Sequence, residues 1–449
     1  MNKKLFLTIL LIIAFAFVAV ACGGSETEEP APEEPAAEEP AEPEEPAEPE
    51  EPAATNKLRV GIYEYMTNGI PFDEQVEACM TATGMDIEVL PIPGEEAAWQ
   101  AITQKMQLEA QDEYASWDLI YGPTPFIEPG AMAPLGLLEP LDDWFPQEFW
   151  DDIYEGVQKE VTSTHDGKKY HIPLWSDVFG LIYRPSMLEA AVGTTEPPKS
   201  WDEIISYCEQ IEEHYGDEIS CFGADWPWSH REFTPMMGTY TSDMFTEEGL
   251  WNLDDPAALK ALQVMEELYP YMPDNAAESL GSSKTFQASG VAMMIYWQAQ
   301  VLRATQAGVP EDDVAIASFP AGDNENTLFW SGGIMVPTYS ENKEGAVQFI
   351  SECILGEQSI RDIFNNFKIV PFKSAVKMLT DDGTMPEWAP PLIALLDVAQ
   401  AIPSNTLYLT IEQPIFQEEI EKMMLTDQTP EQTLENIKTR IQQAMEETQ

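Results

Sequence analysis

The stretch GKKYHIPLWSDVFGLIYRPS, residues 167–186, indicates the fold more clearly than any other part of the sequence. Gly167 to Pro173 is typical of a turn that leads into a strand, and Phe179 to Arg184 has the apolar composition of a buried strand. A short segment that contains Asp177 separates the two. The pattern therefore predicts two strands with a polar segment between them.

Strands and helices alternate toward the N-terminus of this stretch. Residues 57–63 alternate between apolar and other side chains, which predicts a strand, and further strands are predicted at 86–91 and 117–121. Apolar residues at helical spacing predict helices at 71–83 and 95–109. Because this order builds βαβ units around a largely parallel sheet, we expect an α/β fold.

The same alternation continues toward the C-terminus. Ser200 and Glu203 have the capping-box spacing that begins a helix. The remaining predicted elements are a helix and a strand within 285–294, strands at 314–320 and 331–337, and a final amphipathic helix at 431–445. The folded body from residue 57 onward is long enough for two domains.

The first residues have the order of a secretory signal. A basic segment, Met1–Lys4, precedes the apolar run Leu5–Val20, and small residues lie on both sides of Cys22. About 16 apolar residues are short for a membrane span, which is the alternative interpretation. The segment resembles a bacterial lipobox, which implies a signal peptide at 1–21 and a lipidated Cys22. Acyl chains there would anchor the protein to a membrane outside the cytoplasm.

Residues 22–56 are almost entirely Glu, Pro and Ala after the first few positions. Such a segment cannot bury enough apolar surface to offset the entropy of ordering it, so we expect disorder. Repeated Pro and like-charge repulsion favour an extended chain. The segment is interpreted as a tether between the lipidated cysteine and the folded body.

The composition restricts the possible partners. The chain has 449 residues and a formal net charge of -57, which argues against nucleic acid and anionic lipid surfaces as partners. It also disfavours a strongly anionic ligand. With 44% hydrophobic residues and 12 Trp, the body can form cores and line a cleft with aromatic rings. No sequence feature calls for a cofactor.

Cysteine usage does not indicate a metal site. Apart from Cys22 the chain contains Cys79, Cys208, Cys221 and Cys353, with no CxxC motif and no paired His, so a zinc site is not expected. In an oxidising compartment Cys208 and Cys221 form either a disulfide between a helix and the next strand or two small buried thiols.

Several of these segments, in this order, resemble the extracellular solute-binding proteins of ABC importers, the family that includes maltose-binding protein. The stretch 167–186 matches the most recognisable block of that family, and Ser331-Gly-Gly-Ile-Met-Val-Pro337 matches another. The other matching segments are 117–122, 136–143, 198–204, 290–294 and 345–350. The collinear series covers residues 57–449, which is the whole folded body.

The resemblance implies a two-lobed periplasmic-binding-protein-like α/β fold, each lobe a mixed sheet flanked by helices, with a hinged cleft between. Crossings between the lobes are expected near 174–177, 319–320 and 369–372. The implied domains are lobe I at 57–176 plus 321–369 and lobe II at 177–320 plus 370–449. The family's lobes close on a ligand, and a membrane permease recognises the closed form. We expect a monomer.

Candidate ligand residues follow from the chemistry of a sugar. Aromatic rings suit its apolar faces, while carboxylates and amides suit its hydroxyls, and such groups belong at strand ends that face the cleft. Asp177 is the strongest candidate, because alignment on Pro173 and Tyr183 places it where maltose-binding protein has a ligand-contacting carboxylate. The other candidates are Tyr63, Glu64, Tyr121, Thr124, Trp175, Trp226, Trp228, Trp297, Trp330, Gly332, Gly333 and Tyr408.

The sequence therefore predicts a binding protein that captures a mono- or oligosaccharide and catalyses nothing. Asp177 and Glu64 with aromatic rings could instead form a cation cage for a polyamine-like solute. The same lobe pair could also present its ligand to a sensory receptor. A secreted glycoside hydrolase is the enzymatic alternative, although no GxSxG, HExxH or phosphate-loop pattern is present in the sequence.

Overall fold

The protein is described here as a computed structural model in which residues Thr55–Gln449 form one compact unit. The described residues are 57–63, 71–93, 99–112, 114–125, 127–224, 229–246, 249–276, 281–318, 326–404, 407 and 411–448. The strands are β1 Lys57–Tyr63, β2 Asp86–Ile92, β3 Leu119–Tyr121, β4 Ile172–Tyr183, β5 Ser220–Gly223, β6 Val291–Trp297, β7 Ala315–Ala317, β8 Leu328–Met335 and β9 Gln400–Ala401.

Helices pack on both faces of these strands. They are α1 Phe72–Thr83, α2 Trp99–Asp112, α3 Glu128–Met132, α4 Gln147–Asp151, α5 Glu155–Val161, α6 Pro185–Val192, α7 Trp201–Tyr215, α8 Ser229–Gly238, α9 Pro256–Leu268, α10 Gly281–Gln287, α11 Ala299–Gln306, α12 Lys343–Phe349, α13 Glu357–Asn365, α14 Lys373–Asp381, α15 Ala389–Ile393, α16 Gln413–Leu425 and α17 Pro430–Thr448.

Local sequence signals explain several of these boundaries. The hydroxyl of Ser200 accepts a hydrogen bond from the Glu203 backbone N–H at 3.1 Å, as the capping-box prediction requires. The Glu203 carboxylate accepts in return from the N–H of Lys199, at 2.6 Å. Gly84, at φ 73°, ends α1 in the left-handed conformation that glycine adopts without steric cost.

The strands follow one path, in the order β2-β1-β3-β8-β4-β6-β5, with β7 beside β4 and β9 beside β8. The β1–β2, β1–β3, β5–β6 and β8–β9 pairs are parallel. The pairs that β4 forms with β6, β7 and β8, and the β3–β8 pair, are antiparallel. The prediction of a largely parallel sheet is therefore wrong, because the central strands run against their neighbours.

The sequence pattern predicted two strands where the structure has one. β4 runs without interruption from Ile172 to Tyr183, and all of it is buried. Its first part pairs with β8 as far as Val178, and from Phe179 onward it pairs with β6. The polar residues in its middle are accommodated because neighbouring segments satisfy their hydrogen bonds, which the local sequence does not reveal.

The change of partner along β4 divides the body into two lobes. The first lobe contains β1, β2, β3, β8, β9 and the start of β4, with one buried core on each face of the sheet. The second contains β5, β6, β7 and the rest of β4, again with a core on each face. This is the two-lobed α/β architecture that the sequence predicted.

The C-terminal part of the chain is divided between the lobes at a different place from the one expected. Side chains of residues 370–399, assigned from sequence to the second lobe, lie in the same core as Leu58 and Val60. The next buried residue, Ile402, belongs to the core of the second lobe together with Phe416. Core packing therefore moves this boundary from 369–370 to about residue 402. The predicted crossing at 319–320 lies outside the described residues.

Two disulfides connect helices to neighbouring segments. One joins Cys208 of α7 to Cys221 of β5, the pair considered from sequence. The other joins Cys79 of α1 to Cys353, across a sequence separation of 274 residues. The second pairing was not predicted, because nothing in the local sequence indicates that these two positions meet.

Candidate functional site

Two candidate residues lie on one face of β4, and three more lie opposite that face in the neighbouring strands β6 and β8. Trp175, Asp177 and Phe179 alternate along the strand, so their side chains project from the same face. The register places Gly332 opposite Trp175 and Trp330 opposite Asp177 in β8, while Trp297 of β6 lies opposite Phe179. The point where β4 passes between lobes therefore gathers candidates from three strands.

Asp177 is held by groups from both lobes. It is 5% exposed, and its Oδ1 accepts a hydrogen bond from the Gln298 side-chain amide at 3.1 Å. The Lys368 ammonium lies 3.2 Å from its Oδ2. Gln298 also accepts from the Val178 N–H at 2.8 Å and donates to the Ser176 carbonyl at 3.0 Å. The carboxylate is thus fixed at the crossing, with its charge balanced by a lysine.

Trp175 is fully buried beside this carboxylate. A Cβ on Gly332 would lie 2.1 Å from the Trp175 ring, so the glycine leaves space for the indole. A Cβ on Gly333 would lie 1.9 Å from the Ile172 carbonyl oxygen. Both glycines were candidates from the sequence; in the structure the space beside each is filled by the protein itself.

The ends of β1 and β3 contribute polar groups to the first lobe. Tyr63 donates its hydroxyl hydrogen bond to Glu128 at 2.7 Å, and the Thr124 N–H donates to the same carboxylate at 2.9 Å. The Tyr121 ring lies 5.6 Å from that of Trp175. Its hydroxyl and the Trp175 N–H are buried without a hydrogen-bond partner among the described residues. Buried polar groups of this kind are rare and are commonly satisfied by a ligand or water.

Glu128 was not a sequence candidate, although it is 5% exposed and fixes both strand ends. The signal that could have found it is its position directly after the loop that follows β3, at the first turn of a short helix that also contains Pro129. A carboxylate that binds a tyrosine at a strand end fits the same rule that selected Glu64.

The half-buried rings of Trp297, in β6, and Trp330, in the first-lobe strand β8, both pack against the main core of the second lobe. The Phe179 ring is 5.0 Å from that of Trp330, and Trp330 is 5.3 Å from Trp297. The guanidinium of Arg303 lies 5.3 Å from the centre of the Trp297 ring. The lobes are in contact, because Ile127 of the first lobe packs in the main core of the second.

Two buried ionisable groups lie next to the site. Glu160 accepts a hydrogen bond from the Ser331 N–H at 2.7 Å, and burial raises the pKa of its carboxyl group to about 8. A ring nitrogen of His171 is 2.9 Å from the Pro123 carbonyl, and burial lowers the pKa of this imidazole to about 4. Both groups are therefore neutral at pH 7, which leaves the Asp177–Lys368 pair as the main charged feature of the crossing.

The remaining candidates lie outside the described residues. These are Cys22, Glu64, Trp226, Trp228 and Tyr408. Within the described part of the chain, no group of three or more His, Cys, Asp or Glu side chains is arranged to hold a metal ion. None of the helices described here is both long and apolar enough to cross a membrane.

The chain is similar to known binding proteins over most of its folded body. Residues 65–354 match the profile of the bacterial extracellular solute-binding protein family. Since this match covers more than half of the sequence, the chain belongs to that family. It is also 22% identical over 211 residues to a probable ABC transporter-binding protein of Deinococcus radiodurans, across 42% of this chain and 48% of that relative. The chain thus matches about half the length of this relative.

Solved structures share the fold. The Thermus thermophilus maltotriose-binding protein, bound to maltotriose, is 21% identical, with a TM-score of 0.66 over 86% of this chain and 100% of its own. The sugar-binding protein MalE of Xanthomonas citri is 16% identical, with a TM-score of 0.72 over 87% and 98%. A solute-binding protein of Thermotoga lettingae bound to α-D-tagatose is 18% identical, with a TM-score of 0.68 over 86% and 99%. These likenesses show the two-lobed fold.

Proposed function

We propose that the protein is the substrate-binding lipoprotein of an ABC importer, which captures a mono- or oligosaccharide between its lobes and delivers it to a membrane permease without catalysing a reaction. The face of β4 carries this proposal. It presents aromatic rings together with one charge-balanced carboxylate, the combination that suits the apolar faces and the hydroxyl groups of a sugar.

Family membership and the shared fold support the class of function. In hinged two-lobed binding proteins a ligand shifts the population toward the closed form. β4 passes from one lobe to the other between Val178 and Phe179, so rotation about this strand would change the position of Trp297 relative to the first lobe. The ligands bound in two of the similar structures, maltotriose and α-D-tagatose, belong to those proteins and serve here as first probes.

Ligand binding can be tested with the full chain purified in detergent, by following tryptophan fluorescence during thermal unfolding. Maltotriose, maltose and tagatose are the saccharide probes, with spermidine and glucose 6-phosphate as cationic and anionic probes. A ligand at a hundred times its dissociation constant that binds only the native state adds about 2.7 kcal/mol of stability. We expect a rise in the melting temperature with a neutral saccharide.

A pair of tryptophan variants shows whether binding occurs at the proposed face. Trp330→Ala should weaken saccharide binding at least tenfold, whereas Trp144→Ala should leave it unchanged, because Trp144 packs in the first-lobe core and its indole binds Glu139. A shift only with spermidine or the sugar phosphate would contradict the sugar proposal. Shortened saccharide products after incubation would contradict the proposed lack of catalysis.

The lipid anchor rests on the sequence around Cys22. If the anchor forms, the wild-type protein fractionates with membranes, and Cys22→Ser releases it or leaves an unprocessed precursor. Mass spectrometry of the N-terminal peptide measures the acyl chains directly. An unmodified Cys22 in the mature protein would overturn this part of the proposal.

A further inference from the structure

Lys368 pairs with the candidate carboxylate Asp177 and lies over the ring of Trp175. Its ammonium lies 3.2 Å from Oδ2 and 3.4 Å from Oδ1 of Asp177. It also lies 4.9 Å from the centre of the Trp175 ring. The lysine side chain is 17% exposed and the aspartate side chain 7%, so the pair is largely shielded from solvent. One internal cation thus engages both the carboxylate and the aromatic face.

The backbone holds Lys368 in this place. Its neighbour Ile369 exchanges backbone hydrogen bonds with Ser176, at 2.6 Å and 3.3 Å, directly before Asp177 in β4. On the other side, Phe367 has a φ of 54°, which is uncommon for a residue with a side chain. Its ring stacks on Trp388 at 5.0 Å. The segment is therefore anchored on both sides of the lysine.

The ring of Trp297 also lies close to a cation of the protein, as the ring of Trp175 does. The Arg303 guanidinium lies 5.3 Å from the centre of the Trp297 ring and 5.9 Å from that of Tyr296. Cation–π attraction requires a cation close to the ring face. Because one face of Trp175 and one of Trp297 already have cations from the protein, the arrangement differs from an open aromatic cage.

We propose that Lys368 is a specificity-determining residue that makes the site select neutral, hydroxyl-bearing solutes and reject cations. This inference rests on the proposed binding function and narrows its ligand class. An ammonium ligand would have to displace Lys368 from Asp177 and leave a largely buried positive charge unpaired, which is costly. A hydroxyl group can instead share hydrogen bonds with the ion pair while both charges remain balanced.

The net negative charge of the protein favours cation binding, which a lysine beside Asp177 would oppose at the site. A net charge of -57 attracts cations to the whole protein surface. Without a local positive charge, Asp177 and the tryptophans would form a favourable cation site within that field. Lys368 prevents this by supplying the cation from within the chain.

The test is isothermal titration of the full chain in detergent with spermidine and with maltotriose, at 0.15 M salt to screen non-specific attraction. Wild type is expected to bind the saccharide and not spermidine. Lys368→Met should bind spermidine with an affinity at least tenfold higher than that of the wild type. Asp177→Asn combined with Lys368→Met should lose that gain, since the carboxylate is then absent. Lys368→Arg should behave as wild type because it keeps the charge.

Lys377→Met is the matched control, because Lys377 is an exposed lysine of α14 that pairs with Asp381 on the surface. It should leave both titrations unchanged. If Lys368→Met does not fold, Lys368→Gln replaces it, with circular dichroism confirming structure. Arg303→Met is a second test variant. Its gain in spermidine binding should be smaller than that of Lys368→Met, because among the described residues Arg303 contacts the aromatic rings of the site and not its carboxylate.

The outcomes separate the inference from the proposed function. Spermidine binding by wild type, or no gain in a folded Lys368 variant, overturns the inference even if maltotriose binds. A gain that survives in the double variant also overturns it, because the cation would then bind elsewhere. If wild type binds no saccharide from the panel but the variant gains spermidine, the selectivity role stands and the sugar assignment fails.

Discussion

The two lobes are assembled from the chain in different ways. The first lobe combines residues from 58 to 178 with residues from 329 to 399, and its disulfide joins positions 274 residues apart. Most of the main core of the second lobe comes from within 179–295, and its disulfide spans 13 residues. The first lobe can therefore be completed only after the chain has passed through the second, so its stability depends more on long-range closure.

The aromatic rings on the two sides of the candidate site also differ, in how deeply they are buried. On the first-lobe side, Trp175 and Tyr121 are buried at 0% and 1% exposure and packed against other groups of the protein. Trp297 of the second lobe and Trp330 of β8 pack against the main core of the second lobe and are only half-buried. We infer that Trp175 and Tyr121 form a rigid wall, while the rings beside the second-lobe core provide the aromatic surface that a ligand can cover. The following predictions test this difference.

The largest expected difference concerns the disulfides. In the chain-entropy relation, closing a loop of 274 residues contributes about 5.5 kcal/mol and closing one of 13 residues about 3 kcal/mol, as upper estimates. Cys79→Ala with Cys353→Ala should thus lower the free energy of unfolding more than Cys208→Ala with Cys221→Ala. Denaturant titration measures both double variants against wild type.

Reduction of the wild type under the same conditions serves as the control, since it should reproduce the loss of both bonds. A larger loss for the Cys208–Cys221 pair would show that loop length does not distinguish the lobes. It would then point to local packing around α7 and β5 as the stronger contribution.

A smaller effect is expected from added volume in the rigid wall. Gly332→Ala places a methyl group 2.1 Å from the Trp175 ring and should cost about 1–3 kcal/mol of stability. Gly223→Ala, in β5 of the second lobe, is the control, because its Cβ would meet side-chain atoms at 3.2 Å and should cost less. Thermal unfolding compares the two.

A double variant shows whether the Gly332→Ala cost arises at Trp175. Trp175→Leu removes the ring that the new methyl group meets, so the double variant should be more stable than the sum of the single effects predicts. Additive losses would mean that Gly332 is needed for a reason unrelated to Trp175.

The smallest effect, taken per pH unit, is a pH dependence that both lobes share. Burial raises the pKa of Glu160 in the first lobe, and that of Glu412 in the second, to about 8. A carboxyl group whose pKa is higher in the folded state stabilises the fold fully below its unfolded pKa near 4.5, and this stabilisation is lost as the pH rises to 8. The contribution of each carboxyl group to stability should therefore fall as the pH rises from about 4.5 to about 8.

Glu160→Gln and Glu412→Gln each remove one titrating carboxyl group. The free energy of unfolding of each variant should therefore decrease less steeply with rising pH than that of the wild type, by at most about 1.4 kcal/mol per pH unit. Glu344→Gln, at an exposed position, is the control. Below pH 6.5 the lobes should differ, because the lowered pKa of His171 makes stability decrease as the pH falls toward 4 and so opposes Glu160 in the first lobe, whereas Glu412 acts alone in the second. An unchanged slope in Glu160→Gln would show that this carboxyl group is ionised in the folded protein.

Local patterns predicted much of the fold. The strand at 57–63 has the expected bounds, and the capping residue Ser200 begins its helix as its side-chain chemistry requires. These features depend on short-range periodicity and on hydrogen bonds within one turn, both of which can be read from neighbouring residues. Asp177 was likewise expected at a crossing between lobes, where the structure has it.

Other features could not be read in this way. Lys368 and Asp177 are 191 residues apart, and Cys79 and Cys353 are 274 apart. Glu128 was missed because an acidic residue at a helix start is common, and only the neighbouring Tyr63 and Thr124 distinguish it. The continuity of β4 was missed because Ser176 and Asp177 are polar and are satisfied only by distant groups.

The sequence by itself thus determined the alternation of strands and helices, the acidic charge, the aromatic supply and the family resemblance, since each depends on composition or on residues close together in the chain. Only the tertiary structure decided which side chains face one another across β4, which cation balances Asp177 and how residues 370–399 are assigned. Those outcomes depend on contacts between distant segments, where packing volume and charge pairing select one arrangement that no local pattern specifies.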